Sequence, residues 1–127
     1  MSHLTSITTQ IISVQALQEA CKALGLTLVE GGTVRDFFEA ISSVDYHVSI
    51  PGSKYAVGFQ KQPDNTFTII SDQDMLQDTP LGPNYARLKQ EYSFAVIQRQ
   101  AVQKGLYVSR QSLPNAEILV TLTALTF

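Results

Sequence analysis

The stretch VDYHVSI, residues 44–50, places an aspartate, a histidine and a serine at alternate positions. Asp45, His47 and Ser49 are the residue types of nucleophilic catalysis: a carboxylate to orient an imidazole, an imidazole to take a proton, a hydroxyl to attack. Alternate side chains on a strand share one face at roughly 6.6 Å spacing, so Asp45 and His47 lie within mutual reach if the stretch is extended. A working set also needs an oxyanion hole and a nucleophile held on a sharp turn or helix start. No G-x-S-x-G or comparable stretch surrounds Ser49, and the facing set Val44, Tyr46, Val48 and Ile50 makes the better core face. The three polar residues therefore read as the wet side of a β-strand, and no catalytic residue is assigned.

Other stretches carry weaker chemistry. EGGTVRD, residues 30–36, offers two glycines, a threonine and Arg35, the makings of a backbone concavity for an anion with the guanidinium as its charge. It lacks the glycine spacing and lysine of a phosphate loop, so a turn is the plainer reading. Asp72, Asp74 and Asp78 cluster without the intervening glycine and closing glutamate of a calcium loop, and no Cys/His spacing suits zinc, so neither metal nor cofactor is expected. His3 has no partner in sequence, and the single cysteine, Cys21, excludes an internal disulfide and points to an intracellular chain.

The elements that must position these residues are legible from periodicity. Thr5 to Ile12, rich in β-branched residues, predicts a strand, and Ser13 can cap the helix that follows, in which Val14, Leu17, Ala20, Cys21 and Leu24 repeat at three and four residues until Gly25 ends it. LTLVE predicts a short strand. GGTVRDFFEAISS admits either a loop or a loop carrying one short helix. Residues 44–50, 55–59 and TFTIIS alternate around the turns PGSK and QPDN, which predicts two successive hairpins. Asn84 to Lys104 is the longest helical pattern, closed by Gly105, and two strands follow around Pro114 and Asn115. The expected fold is α+β: one domain, residues 1–127, with a largely antiparallel sheet of about six or seven strands and two helices on one face. Element order also admits a duplicated βαββ unit.

The long helix carries apolar residues on two sides. Tyr85, Leu88, Tyr92, Ala95, Val96 and Val102 form one stripe, while Phe94, Ile97 and Ala101 lie on roughly the opposite side. A helix docked on a sheet needs one apolar face, so the second predicts contact with another part of the chain or with a partner. Arg99 falls within the main stripe, where it can meet a ligand or carboxylate, or lay its methylenes along the fold with its head in water.

Bulk composition agrees with a partner. The 127 residues are 44% hydrophobic and only 16% charged, a thin charged coat for a globular domain. Nine basic against eleven acidic residues leave a net charge of −2 with no basic cluster, which argues against nucleic acid. The N-terminus has neither a basic nor an apolar leader segment, and no apolar run approaches a membrane span.

Several stretches together carry a family resemblance. They are the opening MSHLTSITTQI, with Leu17, Ala20 and LGL at 24–26 behind it, TVR at 33–35, YAVGF at 55–59, Asp72, and EYSFAVIQRQAVQKGLYV at 91–108. This pattern resembles the conserved hypothetical plastid reading frame thirty-five, a domain of unknown function found in cyanobacteria and algal plastids. FFEAISS at 37–43 and MLQDTPLGPNY at 75–85 depart from it, as does the absence of tryptophan. The resemblance implies an intracellular protein of a cyanobacterium, plastid or related bacterium, in the cytoplasm or plastid stroma, and carries over no catalytic residue. The combined expectation is a non-enzymatic interaction or assembly module using Phe94, Ile97 and Ala101 on a protein partner or on itself. The alternative is a regulatory domain that binds an anion or nucleotide near Arg35 or Arg99.

Overall fold

The computed structural model describes residues 4–76, 78–115 and 117–124; His3 lies outside them. The first strand, β1 (Thr5–Thr8), leads to α1 (Val14–Ala23). Ser13 caps α1 as its position predicts, its Oγ accepting from the Ala16 N–H at 3.1 Å, a contact worth about 1 kcal/mol. At the other end Gly25, at φ +77°, turns the chain so that the Leu26 N–H reaches the Cys21 carbonyl.

Strands β2 (Leu28–Glu30), β5 (Tyr46–Ser49), β6 (Ala56–Lys61) and β7 (Phe67–Ser71) join β1 in a five-stranded antiparallel sheet of order β1-β7-β6-β5-β2. One face presents Val48, Val57, Phe59, Phe67 and Ile69, all fully buried. Against it pack Leu17 and Cys21 of α1 and Leu88, Tyr92 and Ala95 of α2 (Ala86–Gln103), so both helices cover the same face. The Tyr92 hydroxyl ties them together by accepting from the Ile12 and Ser13 N–H groups at 3.0 Å each. Before α2 a short 3₁₀ turn, Pro83–Tyr85, holds Asn84 and Tyr85 in the left-handed region, and the Leu81 carbonyl accepts from the first-turn N–H groups of Arg87 and Leu88.

The remaining strands correct the expected single sheet of six or seven: among the described residues, nine strands form sheets of five, two and two. GGTVRDFFEAISS, read as a loop or short helix, folds into the hairpin β3 (Thr33–Arg35) and β4 (Ile41–Ser43). It lies across β6 and β7 on the face opposite the helices. That crossing needs Gly58, where an added Cβ would stand 2.6 Å from Val44 Cγ1 and 2.9 Å from Val34 Cγ1. Val44 therefore belongs to this outer layer and not with Tyr46 and Val48. Phe59 pairs with Tyr46 and also accepts from the Asp45 N–H, so two residues oppose one, as in a β-bulge, and the alternation slips by a residue.

Among the described residues the last two strands, β8 (Leu106–Ser112) and β9 (Ile118–Ala124), pair only with each other, and they dock on α2 through β8. The second half runs β7, α2, β8, β9, whereas the first runs β1, α1 and then the five strands β2 to β6, with the β3–β4 hairpin set between the paired β2 and β5. A repeated βαββ order is therefore not reproduced.

Candidate functional site

The structure separates the three residues of VDYHVSI. His47 Nδ1 meets the Gly31 carbonyl at 2.7 Å, and a carbonyl only accepts, so Nδ1 carries the proton. The ring lies against Gly32, where a Cβ would come within 2.4 Å of Nδ1 and where φ is +100°. Asp45 Oδ2 accepts from the Lys61 N–H at 2.8 Å, and Ser49 is exposed. No hydrogen bond joins the three; Asp45 and His47 brace separate backbone turns.

The two arginines are also far apart and both paired. Arg35 donates to Glu39 at 3.0 Å on the β3–β4 hairpin, and Arg99 of α2 donates to Glu19 of α1, all four side chains being about half exposed. Arg87 instead makes no ion pair among the described residues, and lines a cavity of about 530 Å³ with Thr79, Asn84 and Gln73 under the loop that precedes α2.

The second apolar face of α2 is largely taken up by the chain itself. Ala101 is buried. Phe94 lies under the Arg110 guanidinium, 4.4 Å from the ring centroid, while both Arg110 terminal nitrogens donate to Glu91 at 2.8 Å. Ile97 stays half-buried on an open groove of about 1080 Å³ between α2 and the β1–α1 connection, together with Ile12, Val96 and Arg99. Val102, placed in the main stripe by its spacing, is 71% exposed.

The unforeseen feature is the tip of the β3–β4 hairpin. Phe37, Phe38 and Ile41 are 54%, 64% and 66% exposed, three large apolar side chains within five residues. The two rings meet edge to face with centroids 5.2 Å apart. Beneath them two buried carboxylates hold the backbone. Asp36 Oδ1 accepts from the Phe38 and Ala40 N–H groups at 2.8 and 3.0 Å. Asp72, fully buried at the end of β7, accepts from the Phe37 N–H at 2.9 Å and from the Met75 N–H at 3.3 Å. The tip is thus a built presentation of aromatic surface, tied by Asp72 to the main sheet and flanked by Arg35, Glu39 and Lys54. An adjacent phenylalanine pair in a short stretch reads locally as buried core, and only the β-branched runs TVR and ISS on either side of it mark a hairpin.

A family model described as "Protein of unknown function (DUF1257)" matches residues 20–118. The chain belongs to this family. It is also similar to the "Uncharacterized protein ycf35" of Cyanophora paradoxa, 27% identical over 107 residues, which span 83% of this chain and 82% of that protein. No solved structure matches. The family resemblance read from the opening residues, TVR, YAVGF and the 91–108 stretch is therefore correct.

Within this DUF1257 chain the matched span runs from α1 to the start of β9 and includes the tip, both carboxylates that hold it, and α2. Among the described residues no group of three or more His, Cys, Asp or Glu side chains is placed to hold a metal ion, and no helix is long and apolar enough to cross a membrane. Cys21 is buried in α1, and desolvation pushes its thiol up to about 12, so the side chain serves as a small neutral core residue.

Proposed function

We propose that this DUF1257 chain is a non-enzymatic interaction module of the cytoplasm or plastid stroma that docks on a protein partner through the β3–β4 tip. The observation that carries this reading is the exposed Phe37–Phe38 pair, held by Asp36 and Asp72 rather than left to collapse onto the fold. Aromatic side chains on a fixed backbone lose little entropy on docking, and each phenylalanine fully buried by a partner contributes about 1.5–3 kcal/mol. The second face of α2 is the lesser candidate, because Ala101 and Phe94 are already covered and Ile97 alone remains on the open groove.

The test is recovery of the tagged chain from its native host with quantitation of accompanying proteins. A companion in fixed proportion that is lost with Phe37→Ser/Phe38→Ser but kept with Val102→Ser supports the reading. A wild-type chain recovered alone, or a companion indifferent to the double change, sinks it. Exposed substitutions of this kind shift stability by only about 0.5 kcal/mol, so the fold is preserved.

Anion or nucleotide binding is the second reading, and Arg87 favours it at a different place from Arg35 and Arg99: a guanidinium without an ion pair on a polar cavity. A ligand at a hundred times its dissociation constant stabilises by about 2.7 kcal/mol. Thermal shifts with inorganic phosphate and a nucleotide panel that vanish in Arg87→Ala would support this reading; no shift would remove it.

A further inference from the structure

The sheet edges of the molecule are unequally protected. An exposed strand edge offers unpaired N–H and C=O groups to any other chain, and proteins blunt such edges by keeping them short, charged or interrupted. In the main sheet, edge strand β2 has three residues and ends on Glu30, and β1 has four. Strand β9 has seven, ILVTLTA, with no charge, proline or glycine. Among the described residues its one sheet neighbour is β8, and no other element packs extensively along it. A lone two-stranded hairpin is also marginal in water.

The backbone direction of that edge follows from the turn. The Leu113 N–H donates to the Glu117 carbonyl, and alternation along an antiparallel pair then aims the Leu119, Thr121 and Thr123 groups at β8. The N–H and C=O of Ile118, Val120, Leu122 and Ala124 point away from it. Those same four residues share a side-chain face with Leu106, Val108, Arg110 and Ser112, a mainly apolar face on which Arg110 is engaged by Glu91 and Phe94 of α2 and which α2 covers only in part.

We propose that β9 pairs antiparallel with β9 of a second copy of this chain about a two-fold axis at Thr121. This register sets Ile118 opposite Ala124, Leu119 opposite Thr123 and Val120 opposite Leu122. Every outward backbone group then finds its counterpart, Ile118, Val120, Leu122 and Ala124 of both copies stay on one face with Leu119 on the other beside Thr123 of the copy, and no charge meets a like charge. The two hairpins become one four-stranded sheet. A second copy fits better than an unrelated strand because the edge is self-complementary in length, polarity and neutrality, as an isologous contact requires. This surface is separate from the β3–β4 tip, so neither reading depends on the other.

Sedimentation of the full chain across a concentration series tests it. The expected result is a reversible species of twice the 14.0 kDa chain mass, with an association at least tenfold weaker in Thr121→Lys, which brings two ammonium groups together at the axis, and an association unchanged in the control Ser109→Lys on β8. Thr121→Cys provides a second readout, since residues facing across a non-hydrogen-bonded antiparallel pair suit a disulfide. With oxidised glutathione as the oxidant, Thr121→Cys should yield a covalent dimer on a non-reducing gel. Ser109→Cys should not, and the native thiol is buried. A monomer at every concentration, or a dimer that Thr121→Lys leaves intact and Thr121→Cys fails to trap, overturns the proposal.

Discussion

At Gly58 the side chain is a hydrogen atom, and an outer layer of the fold rests on it. Alanine there meets Val44 and Val34 in a layer that cannot retreat without lifting β3–β4 from β6. Gly58→Ala is therefore expected to destabilise by about 1–3 kcal/mol, measurable as a lowered thermal midpoint with unchanged secondary structure. Cys21 makes a second prediction. Burial raises its thiol from 9.0 to about 12, so over that interval the unfolded chain has lost a proton that the folded chain keeps, and stability falls as pH rises. Urea titrations at about pH 8 and about pH 10.5 should show a steeper loss for the wild type than for Cys21→Ala, whose position no longer titrates. Local signals made Ser13 and Gly25 readable in advance. The roles of Asp45 and His47 were not readable, because their partners Lys61 and Gly31 each lie 16 residues away and the bond is to backbone, which no side-chain spacing reports.

At the scale of elements, the hairpins around PGSK and QPDN and the limits of both helices followed from alternation and glycine placement. The β3–β4 hairpin did not, since its turn holds two phenylalanines where polar residues are usual and its shape depends on Asp72, some 35 residues further on. The same dependence yields a prediction. Asp72→Ala removes the acceptor for the Phe37 and Met75 N–H groups and should cost about 1.5–3 kcal/mol. Hydrogen exchange at the Phe37 amide should quicken far more than at the β5–β6 amides. Equal acceleration everywhere would mean that Asp72 supports the sheet as a whole and not the tip.

At the scale of the whole molecule, the class and the two helices on one face were legible, but the division of nine strands into three sheets was not. Periodicity tells a strand which face is apolar and leaves its neighbour unspecified. The pairing of β1 with β7 shows how far apart neighbours can be, Thr5 standing opposite Ser71. Removal of residues 1–9 should therefore do more than shorten the chain. It would leave β7 as a bare edge carrying Phe67 and Ile69, with a lower midpoint of unfolding and light scattering that grows with protein concentration. That long-range pairing also sets an order on synthesis. The first strand leaves the ribosome with nothing to pair with until β7 emerges, and the apolar face they complete then waits for α2. A nascent chain whose emerged part ends between Ser71 and Ala86 would display a sheet face covered by α1 alone, so that interval is where a chaperone has most to bind and where slowed translation would do most harm.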